Sequence, residues 1–288
     1  MGNDLRQQAI DLYDRFTHEG LDRRVFMSRM VAIAGSVAAA EALIGAIAAA
    51  PAAAAVVPEN DKRLTNRTIT FSRPAGYHAY VSEGRTRQLK PTVLVVHENR
   101  GLNDHIRDVA RRLAVAGYRA VAPDFLSLSG GTPANEDAAR NAIGKLNLGK
   151  SVADALGMIG ELKKTSRGRK VGVVGFCWGG AFVNRLAVAA GSKLDAGVAY
   201  YGPAPDPSEA RKVQAPLLLH YAALDDRVAA TGWPWVKALR AAKKDVTAWN
   251  YEGVNHAFNN DTSAERYDKV AADLAWARTL AFFKLHLG

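Results

Sequence analysis

The chain is poor in most of the residue patterns that announce a metal, redox or nucleic-acid function. Its 288 residues include a single cysteine, Cys177, which excludes an internal disulfide framework and any C-x-x-C redox or zinc pair. One thiol fits either a reducing or an oxidising compartment. Seven histidines are scattered along the chain without the paired spacing of a zinc site, so neither a metal ion nor a cofactor is expected. Basic residues exceed acidic ones, with a formal charge of +10, yet long basic runs are missing. The nearest approach, Lys163-Lys164-Thr165-Ser166-Arg167-Gly168-Arg169-Lys170, reads as a solvated loop ahead of a strand. With no RNA-recognition or helix-turn-helix signature beside it, a nucleic-acid partner is not expected. The surplus charge suits solubility and some attraction for anionic substrates. There is no internal repeat.

The residues that are present divide at about position 55. Within residues 1–55, Asp22-Arg23-Arg24-Val25-Phe26-Met27 precedes Val31 to Ala55, a stretch dominated by alanine. Twin arginines ahead of a mildly apolar segment ending in small residues resemble a twin-arginine export signal. The reading predicts a periplasmic protein that meets the membrane only in transit, cleaved after Ala52-Ala53-Ala54-Ala55, near Val56. The roughly 20 residues before the arginines make a long, acid-rich n-region for such a signal. Glu41 and the many alanines leave the segment less hydrophobic than a membrane-spanning helix. The alternative is a retained anchor made of an amphipathic helix and an alanine-rich linker. Residues 1–55 hold five Arg and six Asp or Glu, so the positive charge belongs to residues 56–288.

Residues 56–288 read as one domain, and 48% hydrophobic content overall is enough for a large core. Arg67 to Ser72 and Tyr77 to Glu83 form an antiparallel opening pair turned at Pro74-Ala75-Gly76. Strands are then expected at Thr92–His97, Arg119–Ala122, Lys170–Gly175, Ala196–Tyr200, Leu217–Tyr221 and Val246–Tyr251. Helices are expected at Asp104–Ala116, Pro133–Lys145, Ser151–Lys163, Ala181–Ala190, Trp233–Ala242 and Ala264–Leu287. Such alternation implies an α/β fold, a mostly parallel central sheet with helices on both faces. Ser127 to Thr132 reads as a surface loop near the carboxyl ends of the strands.

Between the strand ending at Gly175 and the helix beginning at Ala181 lies Gly175-Phe176-Cys177-Trp178-Gly179-Gly180. This is the G-x-S-x-G nucleophile elbow with sulfur in place of oxygen. A sharp strand-to-helix turn strains the nucleophile's backbone, and only small neighbours let strand and helix approach so closely. A buried structural cysteine is the competing reading. A thiol needs a base, and the base an orienting acid. His256 lies in the loop after the last strand, and Asp225 in the loop leaving Leu217–Tyr221, in the chain order nucleophile, acid, histidine. Asp225 is the better acid; Asp226 beside Arg227 is the alternative. His220 sits within an apolar strand and reads as core. After the strand Thr92–Val96, the Asn99 N–H is assigned as one oxyanion donor and the Trp178 N–H as the other. Glu98 falls within reach of Cys177, where a carboxylate disfavours the thiolate or accepts the thiol's hydrogen bond. Pairing of Glu98 with Arg100 is the alternative.

His97-Glu98-Asn99-Arg100-Gly101-Leu102, Ala122-Pro123-Asp124, the cysteine elbow, Leu224-Asp225-Asp226-Arg227-Val228 and Asn255-His256-Ala257-Phe258 together resemble the dienelactone hydrolase family of α/β-hydrolases, over most of residues 65–288. The resemblance implies the α/β-hydrolase fold and a Cys177–His256–Asp225 triad. It also implies a Glu98 that controls the thiol until substrate displaces it. The expected activity is hydrolysis of small esters or lactones through an acyl-enzyme. An exported binding or stress protein that keeps the fold without catalysis is the alternative. Tyr201, Trp178 and Phe258 are candidate pocket walls, with core packing as the alternative; Arg100 and Arg266 read first as solvated surface residues, with an anion site as the other reading. One departure stands out: family members that act on dienelactone carry an arginine four residues beyond the catalytic histidine, where this chain has Asn260.

Overall fold

Continuous apolar runs settle the centre of the molecule. A computed structural model describes residues 3–18, 21–48, 56–86 and 88–288. Four of its strands, β3 (Thr92–Val96), β5 (Val171–Phe176), β6 (Ala196–Tyr200) and β7 (Leu217–Ala222), are buried at every position. A strand covered on both faces needs such a run. With β1 (Leu64–Ser72), β2 (Ala75–Gly84), β4 (Arg119–Pro123) and β8 (Val246–Tyr251) they make one sheet in the order β1-β2-β4-β3-β5-β6-β7-β8. The pairs β1–β2 and β2–β4 are antiparallel and the rest parallel. The expected α/β fold and its antiparallel opening pair are therefore present.

Helices α4 (Asp104–Val115), α5 (Glu136–Gly144), α6 (Leu148–Thr165), α7 (Trp178–Ala190), α8 (Asp226–Ala241) and α9 (Lys269–Leu287) cover this sheet. Two apolar clusters lie one on each face, with Phe182, Leu186 and Met158 in the first and Ile106, Leu113 and Phe283 in the second. Several helix starts differ from expectation, and side-chain caps explain two of them. Asp225 accepts the Val228 N–H, so α8 begins at Asp226 instead of Trp233 and carries Pro234 inside it. Asp268 accepts the Ala271 N–H and starts α9 at Lys269 instead of Ala264. Helix α7 begins at Trp178, directly after Cys177, not at Ala181.

Ahead of the sheet come α1 (Asn3–His18), α2 (Arg23–Ala34) and α3 (Val37–Ala48). Helices α2 and α3 meet at 102° just after Gly35, a left-handed residue at φ 84°. Among the described residues no single helix is long and apolar enough to cross a membrane, although this bent pair passes by length and composition. Twin arginines Arg23 and Arg24 open α2 and are exposed. The expected cleavage run, Ala52 to Ala55, lies outside the described residues. Helices α1–α3 have an apolar cluster of their own, centred on Ile10, Tyr13, Phe26, Met30 and Ile47. The chain re-enters at Val56 and Val57, whose N–H groups both donate to the buried Asp108 carboxylate of α4, at 3.1 and 2.8 Å.

Candidate active site

The elbow is as tight as its glycines require. A Cβ on Gly175 would lie 2.1 Å from the Gly179 carbonyl oxygen, and one on Gly179 2.4 Å from the carbonyl oxygen of Val96 on β3. A Cβ on Gly180 would lie 2.5 Å from the Tyr200 carbonyl oxygen on β6. Strand β5, helix α7 and the neighbouring strand ends thus approach at backbone distance. Cys177 absorbs the turn with φ 55° and ψ −111°, a conformation that costs a non-glycine residue on the order of 1–3 kcal/mol. Its N–H donates to the Tyr200 carbonyl at 3.0 Å, which anchors the strained residue to the sheet. Trp178 is the first residue of α7, so its N–H belongs to the helix N-terminal amides that have no carbonyl four residues back.

Asp225 and His256 come from different loops and meet beside this turn. The His256 Nδ1–H donates to Asp225 Oδ2 at 2.5 Å, and both side chains are buried. Asp225 Oδ1 also accepts the Val228 N–H at 3.1 Å, so one carboxylate both caps α8 and orients the imidazole. Burial would push the Asp225 carboxyl up, but His256, Arg227 and the Val228 N–H hold it below its ordinary value. Burial likewise opposes charge on His256, yet Asp225 and Cys177, by charge and hydrogen bonding, raise its pKa to about 10. Asp226, the alternative acid, is exposed at the first turn of α8.

Cys177, His256, Glu98, Asn99 and Arg100 line one pocket, together with Tyr13, Thr17, Arg140, Ala257 and Arg266. Glu98 is buried, and both carboxylate oxygens have donors: Asn260 Nδ2 at 2.7 Å and Tyr201 OH at 3.3 Å. Asn260, at the position where dienelactone-cleaving members carry arginine, thus holds the glutamate. The phenol of Tyr201 is driven well above its ordinary pKa by burial and by the neighbouring Glu98 and Cys177 side chains. That residue sits at φ 38°, its ring 5.0 Å from the His256 ring.

Three expectations need correction. Arg100 is not a solvated surface residue; it is largely buried, hydrogen-bonded to Tyr13 OH at 3.3 Å and ion-paired with Glu136 at 3.2 Å. Arg266 is buried against Asp14 at 2.9 Å. Phe258 is fully buried among Tyr200, Tyr201 and Tyr251 and supports the site from the core instead of lining the pocket. Trp178 stacks on His97, ring centroids 5.3 Å apart, and packs on Phe125 and Phe182.

The other motif histidines are structural. His97 donates from Nδ1 to the Glu98 carbonyl at 2.8 Å and accepts the Phe125 N–H at Nε2, 3.2 Å. Those two hydrogen bonds fix its tautomer, and burial lowers its pKa. His220 spans Tyr251 OH and Thr279 Oγ1 inside the core, and burial lowers its pKa to about 3. Asp124 accepts from Leu126, Thr132 N and Thr132 Oγ1. Thr132 in turn accepts the Leu102 N–H. The Ala122-Pro123-Asp124 motif therefore braces the loop that carries Glu98 and Asn99.

A family model described as the dienelactone hydrolase family matches residues 77–287. The chain belongs to the dienelactone hydrolase family. Similar proteins include a candidate carboxymethylenebutenolidase of Saccharolobus solfataricus, 33% identical over 233 residues that span 68% of this chain and 89% of that one. Another, from Escherichia coli K12, is 31% identical over 214 residues, 69% of this chain and 78% of its own. Among solved structures, a candidate dienelactone hydrolase of Klebsiella pneumoniae superposes with a TM-score of 0.69 at 28% identity, over 77% of this chain and 98% of that one. This dienelactone hydrolase family member is accordingly a hydrolase with the α/β-hydrolase fold. Its helices α1–α3 lie outside the matched range.

Proposed function

We propose that the protein hydrolyses small esters or lactones with Cys177 as nucleophile, His256 as base and acid, and Asp225 as the residue that orients the imidazole. The observation that carries this is the strained Cys177 at the elbow, set against an imidazole that Asp225 holds at 2.5 Å. With His256 as the imidazolium and Cys177 as the thiolate of one ion pair, Sγ attacks the acyl carbon. The N–H groups of Trp178 and Asn99 receive the oxyanion, and the collapsing intermediate expels the alcohol oxygen, which takes the proton from His256. Water then attacks the thioester and gives its proton to Nε2. The acid departs with Sγ leaving as the thiolate, and the proton stays on His256.

Glu98 supports this cycle as a carboxylate fixed near the thiol. Donors on both its oxygens favour a stationary carboxylate over the swinging group that the family resemblance implies. The export reading is part of the same proposal. The exposed Arg23-Arg24 pair and the separate cluster of α1–α3 support a removable front, and the mass of protein recovered from the periplasm tests it.

Cys177→Ala is expected to abolish turnover of p-nitrophenyl acetate. Parent-level activity in that variant overturns the mechanism, and no turnover by the parent chain or by the chain lacking residues 1–55 leaves the non-catalytic reading standing.

A further inference from the structure

We propose that helices α1–α3 are a built-in cover of the Cys177 pocket, so that the full-length chain is a closed resting form and displacement of this segment admits substrate. The inference rests on the reading of Cys177 as the reacting group, and four observations carry it.

The first is position. Tyr13 and Thr17 of α1 form a wall of the pocket that holds Cys177, His256, Glu98 and Asn99. The second is space. With α1 in place the cavity measures about 20 Å³, room for a single water and far too little for an ester or lactone.

The third is the chemistry of the seam, which is polar. Gln7 and Asn255 exchange two side-chain hydrogen bonds, at 2.6 and 3.2 Å, one residue from His256. Asp14 pairs with Arg266 at 2.9 Å, Tyr13 OH accepts from Arg100 at 3.3 Å, and Arg6 meets Glu265 at 2.5 Å. Ser263 Oγ donates to the Ile47 carbonyl at 3.2 Å. Water can replace such partners when the seam opens, whereas an apolar seam would expose its core.

The fourth is autonomy. The apolar cluster of the segment is drawn from residues between Ala9 and Ile47, so lifting it leaves both clusters of the sheet intact. The Klebsiella pneumoniae structure, 98% covered by 77% of this chain, shows that the hydrolase fold stands without an added segment of this size.

A removable front that also seals the nucleophile would keep the hydrolase silent until the front is displaced. Export processing is one chemistry that would do so, since the expected cleavage falls between the cover and Val56.

The test compares the full chain, full-chain Gln7→Ala/Asp14→Ala, and the chain lacking residues 1–55. Each is assayed for iodoacetamide alkylation of Cys177 and for turnover of p-nitrophenyl acetate. Neither Gln7 nor Asp14 belongs to the reacting groups. Loss of two seam contacts is expected to raise the alkylation rate by about tenfold or more. The truncated chain should exceed the double variant, and turnover should rise in parallel. Alkylation at the parent rate in both altered chains overturns the cover. Faster alkylation with no turnover in the truncated chain upholds the cover and overturns Cys177 as the hydrolytic nucleophile.

Discussion

Replacing Gly179 by alanine puts the packing of the elbow to a quantitative test. The added Cβ would lie 2.4 Å from the Val96 carbonyl oxygen, 2.6 Å from that of His97 and 2.9 Å from the Val96 carbonyl carbon. All three belong to the backbone at the end of β3, so no side chain can swing aside. Ordinary contact begins at about 3.4 Å, and helix α7 must withdraw from β3 by about 1 Å to restore it. Overpacking of this kind costs roughly 1–3 kcal/mol, and the upper end is expected here because the obstacle is backbone. The same shift moves Cys177 and the Trp178 N–H relative to His256. A displacement of about 1 Å at reacting groups lowers turnover by on the order of 10²-fold. Gly160 is the internal control: it lies exposed in α6 with nothing within 4 Å of its would-be Cβ. Gly160→Ala should stabilise by roughly 0.5–1 kcal/mol through helix propensity. Urea unfolding followed by tryptophan fluorescence reads the stabilities, and p-nitrophenyl acetate reads kcat/KM. A Gly179→Ala protein as stable and as active as the parent would refute this account of the elbow.

Two further outcomes concern the acid and base. Asp225→Asn should lower kcat by on the order of 10³–10⁴-fold through loss of the oriented imidazole, while Asp226→Asn should leave it near the parent value; equal losses in the two variants would remove Asp225 from its role. The second is stability against pH. The folded chain holds the His256 proton up to about 10 against an ordinary 6.5, so between those values it binds more protons than the unfolded chain. Its contribution to stability is complete below about pH 6.5 and is lost as pH rises through about 10. Denaturant midpoints measured across that window should fall, and the fall should flatten in Asp225→Asn; identical slopes would contradict the coupling.

The pattern of residues carried the elbow because glycines at 175 and 179 have no substitute where backbones come within 2.1 and 2.4 Å of a Cβ. The preference for Asp225 over Asp226 agrees with burial of the first and exposure of the second. The core reading of His220 agrees with its two internal hydrogen bonds. Helix starts were less legible, because Asp225 is at once the cap of α8 and the partner of His256, and Pro234 sits inside a helix that a local reading begins at Trp233. What the linear pattern hides is long-range. Asn260 reads as a missing arginine until its contact with Glu98, 162 residues away, is seen. Arg100 and Arg266 read as surface charge because the residues that bury them, Tyr13 and Asp14, sit in the stretch that reads as an export leader.

Asp108 has a consequence for any chain that starts at Val56. In the full-length protein the Val56 nitrogen is an amide, neutral, donating one hydrogen to a carboxylate 3.1 Å away. Cut just before it, the same atom becomes an α-ammonium, with an ordinary pKa of about 7.7–8.0. A neutral donor would turn into a charged one without moving, already facing its counter-ion. The new terminus would then be held by an ion pair where most termini fray, with Val57 still tied to the other oxygen of Asp108. Severing the polypeptide at that point would tighten the edge of the sheet domain that it exposes.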